Sequence, residues 1–565
     1  MTCALALLAA ACEGGVGFSN NDGDGGGGDS SPLAGLTGLR FEPPRFDLQT
    51  QYAQAVSATY KVIGTFADGE RDVTTLVTVT LEGASPCTLD SGQPQLQCSG
   101  ERGGEARLTV DAAQQHAEAP LVLRVTLDEL QGGAPGNSGT LFGSAAAGGA
   151  APTLVYPPDG AMLPPNLSVI EVMWTDTAND LWEVSIESDR SSVKLYSDTP
   201  SVRIASSAWQ VMAGSNREAS VRIVVRGLVQ AQPGSAGESA AVTLHFALED
   251  IRGGLYYWAA AGDGGIIRYD FGSPDKPAEQ FFTAAKAGAC VACHALSRDG
   301  TSMALTYDGG DGPSGILDVA KQTLRADRAY KANFQVFTPD ASQLVASSAG
   351  ELTLRDAQMA AVVATLDTGG KATQPDISPD GNTLVFVRPA KHSLDWQFEG
   401  GSIVSAPLAN NAIGAGNVIV ASQGENNYYP SFSPDGGWIV FNRSTGDSYS
   451  DDDAALWVVA ASGGQPIAMT QANLGANLRN SWARWSPFVQ KYKQGQLLWL
   501  TFSSTRAYGT QLSDGQRPQL WMAAFDPAKA AAGQDPTYAA FWLPFQDIAT
   551  NNHIAQWTQK IVAIE

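Results

Sequence analysis

Short runs of alternating apolar and polar residues recur along the chain from about residue 36 onward. Ala58–Val62 (A-T-Y-K-V) and Leu76–Thr80 (L-V-T-V-T) are two examples. A period of two places successive side chains on opposite faces of a strand, so this pattern predicts β-strands. The 60 glycines and the charged fraction of 16% suit many short strands joined by tight turns better than long surface helices. We therefore predict an all-β protein.

A longer repeat begins near residue 251. Its unit is an apolar strand, a Ser-Pro-Asp-Gly turn and a second apolar strand, as in 377–386 and 432–441. Pro-Asp-Gly favours the tight turn between two strands. Degenerate copies occupy 337–340 and 485–487, and 296–300 and 556–558 fit the same register. Alignment on the Ser or Thr of each turn gives six anchors, which are Ser297, Thr338, Ser378, Ser433, Ser486 and Thr558.

This unit resembles the TolB-type propeller repeat, in which the first strand of each unit is the innermost strand of a blade. The resemblance implies a six-bladed β-propeller over residues 249–565. Pairing of the C-terminal strand with Leu255–Trp258 would close the ring and leave no free sheet edge.

Two smaller β modules precede the repeat. Residues 36–131 contain F-A-D-G-E-R-D-V-T (Phe66–Thr74), which resembles the bacterial Ig-like domains of surface proteins. A Gly/Ala-rich stretch at 132–151 is expected to be a linker. Residues 152–248 look like an Ig or fibronectin type III sandwich. Neither module shows a constellation of catalytic residues, so we expect both to be spacers.

The N-terminus has the features of an export signal. Ala4–Ala11 is apolar, too short to span a bilayer, and ends at Cys12. Three alanines directly before Cys12 resemble a bacterial lipobox, although no Lys or Arg precedes the run and Leu8 lies one place further from the cysteine than usual. The resemblance implies that residues 1–12 are a lipoprotein signal peptide ending at lipidated Cys12. Plain secretion and an internal start are the alternatives.

Residues 13–35 are rich in Gly and Asp and are expected to form a flexible tether. We therefore expect an exported outer-membrane lipoprotein, held at the membrane by its lipid anchor and facing the periplasm or the cell surface. The net charge of −22 would repel a polyanion, so nucleic acid is excluded as a partner. Cys87 and Cys98 are eleven residues apart and are expected to form a disulfide in an oxidising compartment.

The residues with recognisable chemistry are C-V-A-C-H, comprising Cys290, Cys293 and His294. Two thiols three positions apart can reach the two vinyl groups of one porphyrin, and the adjacent histidine can then bind the iron as its proximal ligand. The motif predicts one covalently attached haem c. A disulfide, a thioredoxin-like redox pair and a zinc half-site are the alternatives. Zinc needs four ligands, and no second Cys/His pair is present.

His294 lies three residues before its anchor Ser297. The equivalent residues of other blades begin the inner strands and are expected to ring one mouth of the central channel; they are Gln335, Pro375, Pro430 and Ala483. TolB-like proteins with C-x-x-C-H just before the S-x-D-G turn are found among bacterial outer-membrane and surface lipoproteins. Resemblance to them implies haem binding and electron transfer, with an unknown redox partner protein.

Two residues are candidates for the distal iron ligand. His553 lies five residues before anchor Thr558, and ring closure is expected to bring its strand beside that of His294. Met303 is a weaker candidate, because it aligns with Leu344, Leu384 and Ile439, which are predicted core positions. Tyr428, Tyr429, Trp482 and Trp557 are candidate contacts for a porphyrin or, alternatively, inter-blade packing residues.

Three functions follow from these residues. An electron-transfer protein would have two protein ligands to its iron. A peroxidase-like haem enzyme would have an open distal position. A propeller scaffold for protein or glycan binding would carry no haem. The sequence favours electron transfer over catalysis.

Overall fold

The computed structural model describes residues 31–260, 264–449 and 451–564. The predicted signal peptide, Cys12 and most of the predicted tether lie outside these residues. Within the described part, the protein is all-β, with two N-terminal β-sandwich modules followed by a six-bladed propeller. This confirms the predicted fold class.

Each propeller blade is an antiparallel sheet whose inner strand lines the central channel. We number the blades by the order in which their second strands occur. Their strands, inner strand first, are as follows: blade 1, Asn552–Thr558, Gly254–Ala259, Gly265–Asp270 and Glu279–Thr283; blade 2, Val291–Leu296, Ser302–Tyr307, Pro313–Asp318 and Thr323–Lys331; blade 3, Phe334–Phe337, Gln343–Ser348, Glu351–Asp356 and Val362–Leu366.

The remaining blades carry short additional strands. Their strands are as follows: blade 4, Thr373–Ile377, Thr383–Arg388, Ser402–Ala409, Ala412–Ile413 and Asn417–Val420, with the hairpin Lys391–Leu394 and Gln397–Glu399; blade 5, Asn426–Phe432, Trp438–Ser444, Ala455–Ala460 and Ile467–Ala468; blade 6, Ser481–Trp485, Gln490–Tyr492, Gly495–Ser504, Gln519–Phe525 and Phe541–Trp542.

The ring closes as the sequence predicts. The C-terminal inner strand pairs antiparallel with Gly254–Ala259, and Trp557 lies opposite Leu255. Blade 1 is therefore built from both ends of the propeller segment. Pairing of the last strand with the first leaves no open edge between them.

Four of the six turns that follow the inner strands share a hydrogen-bonding pattern. Ser297, Thr338, Ser378 and Ser433 each donate a hydroxyl hydrogen bond to the aspartate two residues later, at 2.5–2.6 Å. Glycine follows that aspartate in three of these turns and has φ of 72–78°. In the turn of blade 3, Ala341 occupies this left-handed position, with φ 59°.

The two N-terminal modules share one strand. Gln115–Gln131 pairs with Gly104–Ala112 along its first part, with Phe46–Gln51 in its middle and with Ser191–Ser197 along its last part. The other strands of the first module are Leu36–Glu42, Val56–Thr59, Lys61–Phe66, Gly69–Asp72, Val79–Glu82, Cys87–Leu89 and Gln95–Cys98, with a 3₁₀ turn at Thr74–Leu76. Cys87 and Cys98 form a disulfide.

The second module begins in the stretch expected to be a linker. Residues 132–151 contain the helix Ser138–Ser144, whose Phe142 is buried against Tyr196, and the strand Ala146–Ala147. The other strands are Thr153–Tyr156, Ala161–Leu163, Val169–Thr175, Leu181–Glu187, Ser201–Ala205, Ser220–Leu228, Ser235–Glu238 and Val242–Phe246, with a 3₁₀ turn at Pro165–Leu167 and the helix Ser206–Ser215. Short helices at Ala284–Ala287 and Pro527–Ala531 belong to the propeller.

The second module packs directly on blade 6. Tyr156 contacts Tyr508 edge to face at 4.9 Å, and its hydroxyl accepts a hydrogen bond from the backbone N–H of Trp542 at 3.1 Å. One continuous apolar cluster includes side chains of both. In the described residues, no helix has the length and apolar character needed to cross a membrane.

Candidate functional site

The C-x-x-C-H segment lies where the inner strand of blade 2 begins. The helix Ala284–Ala287 ends at Gly288, whose φ of 68° turns the chain toward that strand. Cys290 directly precedes the strand and is exposed, whereas Cys293 and His294 lie within it. Both cysteines are free thiols in the structure.

The register of the six inner strands shows which residues share the position of Cys293. Leu296 pairs with Met303 just before the turn, as Ile377 does with Leu384 in blade 4. Counting back four residues from each anchor gives one residue from each blade. Five of the six belong to one apolar cluster, and the sixth, Gln374, lines the same small cavity as Cys293. We call this set the mouth ring: Cys293, Phe334, Gln374, Tyr429, Trp482 and Ile554.

Aromatic side chains fill the mouth ring. Tyr429 and Trp482 are stacked with centroids 4.7 Å apart, and Phe334 lies 5.3 Å from Trp482 and 5.9 Å from Tyr429. Cys293 packs against the same cluster. The cavity left here is about 10 Å³, roughly the space of one water molecule. The rings therefore cap this end of the channel.

The backbone of blade 2 differs from that of four other blades at this height. Gln374, Tyr429, Trp482 and Ile554 all have φ between 52° and 56° and each lies in a β-bulge. In blade 2 the bulge lies one residue earlier, between Val291 and His294, and Cys293 has no positive φ. The strand that carries the motif therefore has its own backbone geometry.

His294 is buried, and each of its ring nitrogens faces a backbone carbonyl, of which a neutral imidazole can donate a hydrogen bond to one. Its Nδ1 lies 3.1 Å from the oxygen of Ala292, and its Nε2 lies 3.4 Å from that of Tyr256 in blade 1. Burial lowers the pKa of His294 to about 4, while these carbonyl contacts oppose the shift. The imidazole is therefore neutral at pH 7.

The two thiols of the motif differ in environment. Burial raises the pKa of Cys293 to about 12, so this thiol stays protonated near neutral pH. Cys290 is exposed to solvent. A porphyrin approaching from outside the mouth would therefore meet Cys290 first.

The two candidate distal ligands lie in different surroundings. His553 faces blade 6, where its Nε2 is 3.2 Å from the hydroxyl of Ser481 and its ring lies edge-on to Trp482 at 6.5 Å. Burial lowers the pKa of His553 to about 4. Met303 is fully buried between blades 1 and 2, in an apolar cluster with Tyr256. Packing thus accounts for Met303.

Of the predicted aromatic contacts, Tyr429 and Trp482 lie in the mouth ring, and Tyr428 belongs to the same apolar cluster. Trp557 does not lie at the mouth. It stacks on Phe271 at 5.0 Å and donates its Nε1 hydrogen to Thr501, because its register position is three residues further along the strand.

Several buried donors around the mouth have no hydrogen-bond partner among the described residues. They are the indole Nε1 of Trp258 and of Trp482, the hydroxyls of Tyr428 and Tyr429, and Nε2 of Gln374. The sequence prediction compared residues three positions before each anchor. A comparison four positions before each anchor would have identified Phe334 and Gln374 as mouth residues from the sequence.

These observations bear on whether the residues fit a haem. Two free thiols, an adjacent imidazole and unpartnered polar groups within an aromatic cluster suit a porphyrin chemically. In this structure, aromatic rings cap the mouth and the ring nitrogens of His294 face backbone carbonyls. Attachment of a porphyrin therefore requires residues 290–294 to rearrange. No group of three or more His, Cys, Asp or Glu side chains that could hold a metal ion occurs in the part of the chain that the structure describes.

No family model matches the chain, and no curated protein matches it. Among solved structures, hydrazine synthase of Kuenenia stuttgartiensis is 12% identical, with 42% of this chain and 70% of that chain covered and a TM-score of 0.30. The dihydro-heme d1 dehydrogenase NirN is 15% identical, with 48% and 58% covered and a TM-score of 0.31. A puromycin-hydrolysing peptidase of Mycobacterium tuberculosis is 14% identical, with 49% and 44% covered and a TM-score of 0.29. These similarities do not place the chain in any of these families.

Proposed function

We propose that this chain is a c-type haem protein that transfers electrons at a membrane surface. Cys290 and Cys293 would attach one porphyrin through thioether bonds, and His294 would be the proximal iron ligand. When bound, such a group supplies reversible one-electron oxidation and reduction. An unknown redox partner protein would exchange electrons with it.

The observation that carries this proposal is the position of the motif. Two unpaired thiols and a histidine lie at the end of a channel that is lined by aromatic residues. Indole, phenol and amide groups at this end have no hydrogen-bond partner among the described residues. After residues 290–294 rearrange, the aromatic side chains would offer apolar surface to a porphyrin face, and the unpartnered donors would offer hydrogen bonds to its carboxylates.

The proposed location rests on the N-terminal sequence. A lipidated Cys12 and the tether at 13–35 would hold the propeller at the outer membrane, on its periplasmic or outer face. The Cys87–Cys98 disulfide supports export, because disulfides persist in oxidising compartments. Haem c is assembled in such a compartment.

The test is to mature the protein in a host that has haem-c assembly machinery. We expect the purified protein to gain the mass of one porphyrin and to show a reduced-minus-oxidised haem spectrum. Cys290→Ser with Cys293→Ser should abolish the covalent mass gain. The matched control is Cys87→Ser with Cys98→Ser, which removes the other cysteine pair and should leave the haem attached.

The spectrum also separates the competing functions. A low-spin iron that becomes high-spin in His553→Ala supports electron transfer with His553 as distal ligand. A high-spin iron in the wild type would favour the peroxidase-like enzyme. A colourless wild-type protein without added mass would exclude both haem functions and leave an anchored scaffold.

A further inference from the structure

Beneath the mouth ring, the next inward-facing residues form a second layer of the channel. These residues lie two positions further along each inner strand, and all six line one cavity. We call this set the middle ring: Ala295, Val336, Asp376, Ser431, Arg484 and Gln556. Residues of this set line a cavity of about 100 Å³, which Arg298 lines as well from the turn of blade 2.

Arg484 is a cation without a direct counter-ion. Its guanidinium donates one hydrogen bond, from Nη1 to the backbone oxygen of Ala483 at 3.0 Å. No carboxylate lies within 4 Å of it among the described residues. Burial lowers the pKa of Arg484, and nearby Asp376 opposes that shift. Asp376 in the same cavity is the nearby opposite charge, but it makes no direct contact with Arg484, so the guanidinium keeps hydrogen-bond donors available for an anion.

Two amides next to Arg484 also lack partners. Gln374, only 3% exposed, accepts a hydrogen bond from the backbone N–H of Tyr429 at 2.7 Å, but its Nε2 has no acceptor. The side chain of Gln556 makes no hydrogen bond to any described residue, although it lines the channel at both heights. Gln374 lines the small mouth cavity, whereas Gln556 and Arg484 line that space and the larger cavity beneath it, so Gln556 and Arg484 are the groups that present donors to the larger cavity.

The charge of the cavity limits the ligand. Arg298 and Arg484 are positive, while Asp376 is the one carboxylate among the residues that line the cavity. Oδ2 of Asp376 accepts a hydrogen bond from the backbone N–H of Phe432 at 2.7 Å. Burial raises the pKa of Asp376, and both arginines oppose that rise. With Asp376 ionised, the two arginines and one carboxylate give the cavity a net charge of +1. A monovalent anion would neutralise this charge, whereas a dianion would leave the cavity negative.

We propose that the channel binds a small monovalent carboxylate between Arg484 and Arg298. The planar guanidinium matches a carboxylate through two parallel hydrogen bonds. Entry is from the turn end, where Arg298, Pro434 and Pro487 are partly exposed, because aromatic rings cap the other end. Arg484 and Gln556 also line the small cavity beside Cys293 and His294, so the site adjoins the residues proposed to attach haem, and it is tested on haem-free protein.

The experiment is calorimetric titration of the haem-free protein with acetate and, separately, with sulfate at matched ionic strength and pH 8, where Asp376 is most fully ionised. We expect saturable acetate binding with a stoichiometry of one and weaker sulfate binding. Arg484→Gln should weaken acetate binding about tenfold or more, because it removes a charge-assisted bidentate contact. Arg298→Gln should weaken it less.

Two further variants keep the test decisive. Asp376→Asn removes the negative charge and should strengthen sulfate binding several-fold, an effect that a purely structural role would not produce. Arg388→Gln is the matched control, because Arg388 is a propeller arginine outside the channel that also bonds to a backbone oxygen; it should bind acetate like the wild type. Thermal denaturation of each variant identifies any that fails to fold. If Arg484→Gln fails to fold, the effects of Arg298→Gln and Asp376→Asn on anion binding test the proposal instead.

The proposal is overturned if the wild type shows no saturable acetate binding. It is also overturned if chloride competes as well as acetate at equal concentration, or if folded Arg484→Gln binds acetate like the wild type. None of these outcomes affects the haem proposal, which is judged by mass and spectrum.

Discussion

At the scale of single residues, two cysteines three positions apart have very different surroundings. Cys290 is exposed before the inner strand of blade 2, whereas Cys293 lies three residues later against the aromatic cap. The same sequence motif thus contains one accessible thiol and one shielded thiol. This difference can be measured without any haem.

We expect Cys290 to react with iodoacetamide at pH 8 at least about ten times faster than Cys293 in the haem-free protein, because the thiolate is the reactive form. Burial keeps the pKa of Cys293 near 12. Peptide mass spectrometry over time measures both rates. Cys290→Ser should leave only the slow reaction, and equal rates for the two thiols would contradict the shielded position of Cys293.

At the scale of elements, the turn after the inner strand is the recurring unit of blades 2 to 5. A serine or threonine hydroxyl binds an aspartate two residues later, and a left-handed residue follows it. Glycine adopts this conformation without steric cost, whereas a Cβ clashes with the backbone. Blade 3 carries Ala341 in that position.

Ala341→Gly is expected to stabilise the protein by about 0.5 kcal/mol. The substitution relieves the strain of an alanine in the left-handed conformation, and this gain is partly offset by the larger conformational entropy that glycine loses on folding. Thermal denaturation should show a higher midpoint. The control is Ala364→Gly, in the outer strand Val362–Leu366. That substitution has no strain to relieve and should destabilise by about 0.5–1 kcal/mol. A lower midpoint for Ala341→Gly would refute the argument.

The turn of blade 4 should make stability depend on pH. The carboxylate of Asp380 accepts hydrogen bonds from the Ser378 hydroxyl and from the backbone and side chain of Asn382. These bonds, that of Ser378 most of all, lower the pKa of Asp380 below its ordinary value. A carboxylate with a lowered folded pKa stabilises the fold above its unfolded pKa of about 4, and this contribution is lost as the pH falls through the folded pKa. Asp380→Asn should therefore be less stable than the wild type at pH 7, and the gap should shrink by pH 3 in urea titrations. A gap that does not change with pH would argue against this contribution.

At the scale of the whole molecule, one strand pair closes the ring and apolar packing joins the propeller to the second sandwich module. Asn552–Thr558 lies beside Gly254–Ala259, although almost the whole propeller separates them in sequence. Trp557 anchors this pair through Phe271 and Thr501. Loss of that contact should loosen both ends of the propeller.

Trp557→Ala is expected to destabilise the propeller by about 3–5 kcal/mol, the usual cost of removing a buried tryptophan. Hydrogen exchange should accelerate in both Gly254–Ala259 and Asn552–Thr558. Met359→Ala is the control, because Met359 is 77% exposed and should change stability little. Faster exchange confined to the C-terminal strand would contradict closure by this pair.

The sequence by itself determined the all-β class and the six inner strands, because apolar alternation and turn residues act locally. The closing pair followed from the recurrence of the inner-strand register at the C-terminal anchor Thr558. It also marked Cys290, Cys293 and His294 as the residues with haem-attachment chemistry. These features depend on residue identity and spacing, which a single chain displays directly.

Only the tertiary structure decided which side chains meet. The bulge that shifts in blade 2, the aromatic cap and the direction in which His553 faces depend on neighbouring blades. So does the unpaired charge of Arg484, which no local pattern reveals. Contacts between strands far apart in sequence arise from ring closure, and burial sets the charge and reactivity of the groups that meet there.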